Sequence, residues 1–122
     1  MKTSSSYCMD VNGGFRSENN PIIMWPCHKG PNQKFKYNRR TKQIKSVHSR
    51  KCVDIGKDSR IVQRKCDTRK NTQKWKLKNR KWMSLQNKRT PRCINTSSAN
   101  GIHLIASQCN KSNQSFTMKN KK

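Results

Sequence analysis

Apolar residues along this chain fall in short alternating runs and rarely at helical spacing. Lys34-Phe35-Lys36-Tyr37 and Lys74-Trp75-Lys76-Leu77-Lys78 alternate polar with apolar positions, which sets the rings on one face of a strand and the lysines on the other. On that pattern Phe35, Trp75 and Phe116 are core residues rather than ligand-binding rings. Further strand candidates cover 7–11, 21–25, 43–47, 51–55, 60–64, 82–85, 92–95 and 102–106. Turn-rich polar pieces separate them, among them Asn12-Gly13-Gly14 and the stretches 28–31, 38–42, 87–91 and 110–113. Many short strands at regular spacing predict an all-β sandwich or barrel.

A longer period overlies the alternation. Three segments open with Cys, an apolar residue and Asp or Asn: Cys8-Met9-Asp10, Cys52-Val53-Asp54 and Cys93-Ile94-Asn95. Each runs to a second cysteine (Cys27, Cys66, Cys109) and closes with Gln, any residue and an aromatic: Gln33-Lys34-Phe35, Gln73-Lys74-Trp75 and Gln114-Ser115-Phe116. The opening cysteines lie 44 and 41 positions apart, so one supersecondary unit is used three times. Three units closing around one axis predict a β-trefoil, a six-stranded barrel capped by three hairpins; a propeller typically needs four or more blades. The expectation is a single domain over 1–122, with repeats at approximately 7–47, 51–86 and 92–118. No last strand is expected after Phe116 in the third repeat, and residues 2–6 are the candidate to take its place.

Only 30% of the 122 residues are hydrophobic, too few for a well-filled core without additional fastening. Six cysteines can provide it. They form no Cys-x-x-Cys pair, and their spacings do not suit a zinc site. Six cysteines allow fifteen pairings, but identical units should use identical bonds, so the simplest set joins Cys8 to Cys27, Cys52 to Cys66 and Cys93 to Cys109. Such bonds imply an oxidising compartment and a secreted protein; six reduced thiols in a cytosolic protein are the alternative. No apolar run marks a signal peptide or a membrane span, and Met1 is read as the start of a mature form or of an expressed fragment.

The net charge is +24, and its placement changes the picture. Residues 1–33 carry about +1, whereas residues 34–92 hold 22 Lys and Arg against three Asp. Such a basic body attracts sulfated glycans, nucleic acid or acidic membranes, or is simply a solvated surface. Five carboxylates in all, and three histidines without a shared motif, point away from an enzyme. No cofactor motif or metal-ligand constellation is present in the sequence.

The threefold pattern of Cys-x-Asp/Asn, second Cys and Gln-x-aromatic resembles the ricin B-chain, or R-type, lectin family over residues 7–118. The resemblance implies a β-trefoil that binds galactose or N-acetylgalactosamine in shallow pockets, up to one per repeat. It also implies that Asp10 receives sugar hydroxyls, Trp25 stacks on the ring, Asn32 bonds a hydroxyl and Gln33 supports Asp10. His28, beside Cys27, is a further candidate for sugar contact. The chemistry agrees: a carboxylate accepts from two neighbouring hydroxyls through strong charge-assisted bonds, and an indole offers a flat apolar face to a pyranose. Ile23 departs from the family, whose better sites have glutamine there.

The other two repeats depart further. The second keeps Asp54 and Gln73 but has Thr72 in place of the asparagine and Arg64 in place of the stacking ring. Arg60, Arg64, Lys65, Arg69 and Lys70 make it a candidate site for sulfate or phosphate, and this supports an alternative reading as a polyanion binder. The third repeat has Asn95 for Asp and Ser107 for the ring, while keeping Asn113 and Gln114; little or no sugar binding is expected there. Asn95-Thr96-Ser97, Asn110-Lys111-Ser112 and Asn113-Gln114-Ser115 are formal glycosylation acceptors.

Overall fold

Alternating strands of four or five residues are too short to bury a face alone, and they do so here by pairing as hairpins around a common axis. The computed structural model describes residues 7–78, 80–87, 89–96, 103–109 and 119–120. The strands are β1 (Tyr7–Val11), β2 (Ile22–Pro26), β3 (Lys34–Asn38), β4 (Gln43–Ser46), β5 (Cys52–Ile55), β6 (Ile61–Arg64), β7 (Trp75–Lys78), β8 (Lys81–Ser84), β9 (Arg92–Thr96), β10 (Leu104–Gln108) and the two-residue β11 (Lys119–Asn120). β1 pairs with β2, β5 with β6 and β9 with β10, all antiparallel. β3–β4 and β7–β8 form the second hairpins of the first two repeats.

The registers superimpose the repeats. Cys8, Cys52 and Cys93 stand opposite Trp25, Arg64 and Ser107, while Asp10, Asp54 and Asn95 stand opposite Ile23, Val62 and Ile105. Repeats join at equivalent points, Lys45 against Cys52 and Met83 against Cys93. Three single bridges then connect the second strands around the axis: Ile23 with His103, Val62 with Pro21 and Ile105 with Arg60. Each couples equivalent positions of neighbouring repeats, which gives the β-trefoil its threefold closure.

Period two sends Met9, Val11, Ile22 and Met24 inward from the first hairpin, with Val53, Ile55, Ile61, Ile94, Leu104 and Ala106 filling the same core from the other two. Phe35 and Trp75 are both fully buried, as the alternation predicts, and the Trp75 indole donates to Val53 O at 3.1 Å. Leu77, two residues on, differs: it is 53% exposed at the tip of the β7–β8 hairpin, whereas Tyr37 at the equivalent place packs on Trp82 with ring centroids 4.9 Å apart. Phe116 and residues 2–6 lie outside the described residues, and β11 lies parallel to Lys34 and Phe35.

Short 3-10 turns follow the opening strands. Gly13 and Gly14 adopt the left-handed region (φ 65° and 70°) at no steric cost, whereas the second repeat places Asp58 and Ser59 there (φ 58° and 62°). The cysteines pair within repeats, Cys8–Cys27, Cys52–Cys66 and Cys93–Cys109, with sequence separations of 19, 14 and 16. Replacing Cys52 and Cys66 together by serine is expected to lower the unfolding free energy by about 3 kcal/mol, read from the denaturant midpoint at unchanged m-value.

Candidate functional site

Asp10, Ile23 and Trp25 share the outer face of the first hairpin, because their neighbours Met9, Val11, Ile22 and Met24 take the inner one. Asp10 is only 3% exposed, so its carboxylate needs partners. Gln33, completely buried, donates from Nε2 to Asp10 Oδ2 at 2.8 Å and to Pro26 O at 3.0 Å, while its Oε1 accepts from the His28 backbone N–H at 2.7 Å. One side chain thereby ties the loop around the second cysteine to the strand that carries the acid. Asn32 donates to Asp10 Oδ1 and to Val11 O, each at 3.1 Å, which leaves its own amide oxygen for a ligand donor.

The His28 ring lies beside this carboxylate, with Nε2 at 3.5 Å from Asp10 Oδ2. Its Nδ1 accepts from Gly30 N–H at 2.8 Å, so the neutral ring carries its proton on Nε2 and points it into the site. Gly30 is required there, since a Cβ would stand 2.6 Å from the ring. Trp25 is 46% exposed and lies on the same outer face, diagonal to Asp10 in the ladder. Hydrogen bonds and the close ring thus gather Asp10, His28, Asn32 and Gln33 in one cluster, and Trp25 shares the outer face of the hairpin that carries Asp10. Burial raises the Asp10 pKa above its ordinary 3.8, outweighing the Gln33 hydrogen bond, the nearby His28 and the Asn32 bond that lower it.

The second repeat has the same glutamine bond pattern around a different pocket. Gln73 Nε2 donates to Asp54 Oδ2 at 3.1 Å and to Lys65 O at 2.9 Å, and its Oε1 accepts from Asp67 N–H at 2.9 Å. Asp54 is fully buried, and two cations of the chain lie on it: Arg64 Nη1 at 3.7 Å and Lys70 Nζ at 3.5 Å from Oδ2. Arg69 grips Asp67 with two bonds of 3.1 and 3.2 Å, which hold the Asp67 pKa below its ordinary value. Arg64, Lys65, Arg69 and Lys70 line one cavity with Glu18 and Asp67. Arg60 does not join them; it lies four residues back along the chain, where it bridges Ile105 in the barrel closure.

Two residues of this second site escaped the sequence reading. Glu18 accepts from the Lys65 backbone N–H at 3.0 Å, and Asn19 Oδ1 accepts from Arg64 Nε at 2.6 Å. Both come from the first repeat, whose 15–20 arc is held down by Gln63 Nε2 donating to Phe15 O and Ser17 O at 2.9 Å. Contacts across more than 40 residues leave no local signal. In the third repeat Asn95 donates to Ser107 Oγ at 2.7 Å and Gln108 O at 3.0 Å and accepts from Lys81 Nζ at 3.0 Å, so its amide is already engaged. Asn113 and Gln114 lie outside the described residues.

With that geometry in place, the chain matches the family of ricin-type beta-trefoil lectin domains over residues 1–118, and it belongs to that family. No curated protein sequence matches it significantly. Among solved structures, the Vibrio vulnificus hemolysin/cytolysin β-trefoil lectin with N-acetyl-D-lactosamine bound superimposes with TM-score 0.76 at 23% identity, covering 96% of this chain and 89% of that one. The C-half of an earthworm R-type lectin in complex with GalNAc gives TM-score 0.78 at 20% identity, over 94% and 91% of the two chains. A designed threefold-symmetric protein, ThreeFoil, gives 0.69 at 18%, over 91% and 89%.

Gln33→Leu strands Asp10, Pro26 O and the His28 N–H together, and is expected to cost about 2–4 kcal/mol of stability by chemical denaturation. The raised pKa of Asp10 sets a second expectation. Its contribution to stability is fully present below pH 3.8 and is lost as pH rises through the folded value, because the native state then holds the proton more tightly than the unfolded chain. A melting-temperature profile of Asp10→Asn against wild type should diverge across that window, and parallel profiles would refute the assignment.

Proposed function

We propose that the protein is a secreted carbohydrate-binding lectin that takes galactose or N-acetylgalactosamine in the pocket of its first repeat. The observation that carries this reading is the buried Asp10 carboxylate, oriented by Gln33 and Asn32, with the half-exposed Trp25 on the same outer face of the hairpin. Asp10 accepts from two adjacent hydroxyls, the indole of Trp25 covers the C–H face of the ring, and Asn32 and His28 contact the remaining oxygens. The relatives crystallised with N-acetyl-D-lactosamine and with GalNAc support this ligand class. The role is binding and not catalysis, in keeping with the lectin family. A single shallow site of this kind holds a monosaccharide with about 4 kcal/mol, a millimolar dissociation constant, so useful strength comes from multivalent presentation.

The net charge of +24 supports a second reading, in which the middle repeat binds polyanions. Its cations are largely answered from within, Arg64 and Lys70 by Asp54 and Arg69 by Asp67, which weighs against that pocket.

Calorimetric titration with galactose and GalNAc tests the first reading. Asp10→Ala and Trp25→Ala should each weaken binding at least about tenfold, which corresponds to about 1.4 kcal/mol. Wild-type affinity should barely change with salt and should fall as pH drops through the Asp10 titration. Undiminished sugar binding by both variants would sink the pocket assignment.

A further inference from the structure

The charge that the sugar pocket leaves unexplained gathers elsewhere. Eight of the eighteen residues from 34 to 51 are Lys or Arg and none is acidic. This segment forms the β3–β4 hairpin and the turn after it, and its outer face holds a groove lined by Lys36, Arg39, Lys45 and Arg50, all exposed. Lys36 and Lys45 stand directly opposite each other in the ladder, a repulsive arrangement unless an anion lies between them. All five carboxylates of the chain belong to the described residues, and none lines the groove. The middle-repeat cavity, by contrast, sets Glu18 and Asp67 among its four cations, with Asp54 beneath two of them.

We propose that the groove on the β3–β4 hairpin, with Lys36, Arg39, Lys45 and Arg50 as its contacts, binds a linear sulfated polysaccharide. The surroundings select this polyanion over others. A single-stranded nucleic acid needs an open ring on which bases stack. Among the described residues the one ring in the groove, Tyr37, is engaged instead: its hydroxyl donates to Trp75 O at 2.6 Å and its ring packs at a tilt on Trp82. An acidic membrane needs an apolar anchor beside the charges. The exposed large apolar residues among those described, Phe15, Trp25 and Leu77, all lie outside the groove. Four separated cations along a groove suit sulfates spaced along a flexible chain, where each contact is a charge pair. The groove shares no residue with the Asp10 pocket, so sugar binding and sulfated-chain binding are separable.

The test is fluorescence anisotropy of a labelled heparin octasaccharide with the full chain, from about 50 to about 400 mM salt. Four contacts predict that log K falls against log salt with a slope of about −3. Lys36→Gln with Lys45→Gln should lower the affinity at about 100 mM salt by at least about tenfold and flatten the slope by about 1.5. The same variant should melt no lower than wild type, since it removes facing charges. Lys76→Gln with Lys78→Gln, an equal charge loss on the exposed β7 strand, should change affinity less than about threefold. Free galactose should not compete. Equal loss in the two double variants, equal binding of an oligothymidylate of matched charge, or a greater loss on Arg64→Gln with Lys65→Gln would each overturn the proposal.

Discussion

A buried glutamine amide has two N–H donors and an acceptor oxygen to satisfy, and in the first two repeats the bonds they make decide where everything else in the repeat sits. Gln33 and Gln73 each donate to the acid of the opening strand and to the carbonyl just before the second cysteine, and each accepts the N–H just after it. Both are fully buried, so none of these bonds competes with water, and losing one strands a partner. The disulfide fastens the same loop one residue away, so covalent and polar fastenings act on one spot. The aromatic two residues later, Phe35 or Trp75, then reaches the core.

The three repeats use one skeleton for three different surfaces. The position opposite the opening cysteine holds Trp25, Arg64 and Ser107 in turn. In the first repeat it is a half-exposed plate on the same outer face as a buried acid held by amide hydrogen bonds. In the second, the guanidinium and Lys70 cover an acid that is wholly buried, a pairing that keeps the charge satisfied while filling the place a ligand would take. In the third, replacing the acid by Asn95 removes the charge, and the amide satisfies itself on Ser107 and Gln108. The scaffold tolerates these changes because the inner faces of the hairpins, which carry the packing, are separate from the outer ones.

Separation of faces also explains how so basic a chain folds around so few apolar residues. Lysines occupy the outward positions of β3, β4 and β7, where solvent screens them, and the carboxylates are concentrated around the first two pockets. The result is a surface whose field is strongest where no acid is near, on the first repeat's second hairpin. Repulsion there acts on exposed side chains, where water and salt moderate it, and leaves the buried clasps untouched.

What the sequence determined by itself is whatever repeats or alternates locally. Period two set the strands to within a residue or two and marked Phe35 and Trp75 as buried, while the family resemblance alone singled out Trp25 as the ring left outside; the tandem pattern set the disulfide pairs and aligned Asp10 with Asp54 and Asn95. Alternation sets Leu77 on the face of Trp75, yet Leu77 is exposed, since period two names a face without saying whether anything packs on it. Tertiary closure decided the rest. Bridges between second strands took Arg60 away from its supposed partners, and the 15–20 arc brought Glu18 and Asn19 across 47 and 45 positions to Lys65 and Arg64. Such contacts depend on how three units meet around an axis, and the period of each unit carries no record of what its neighbours bring.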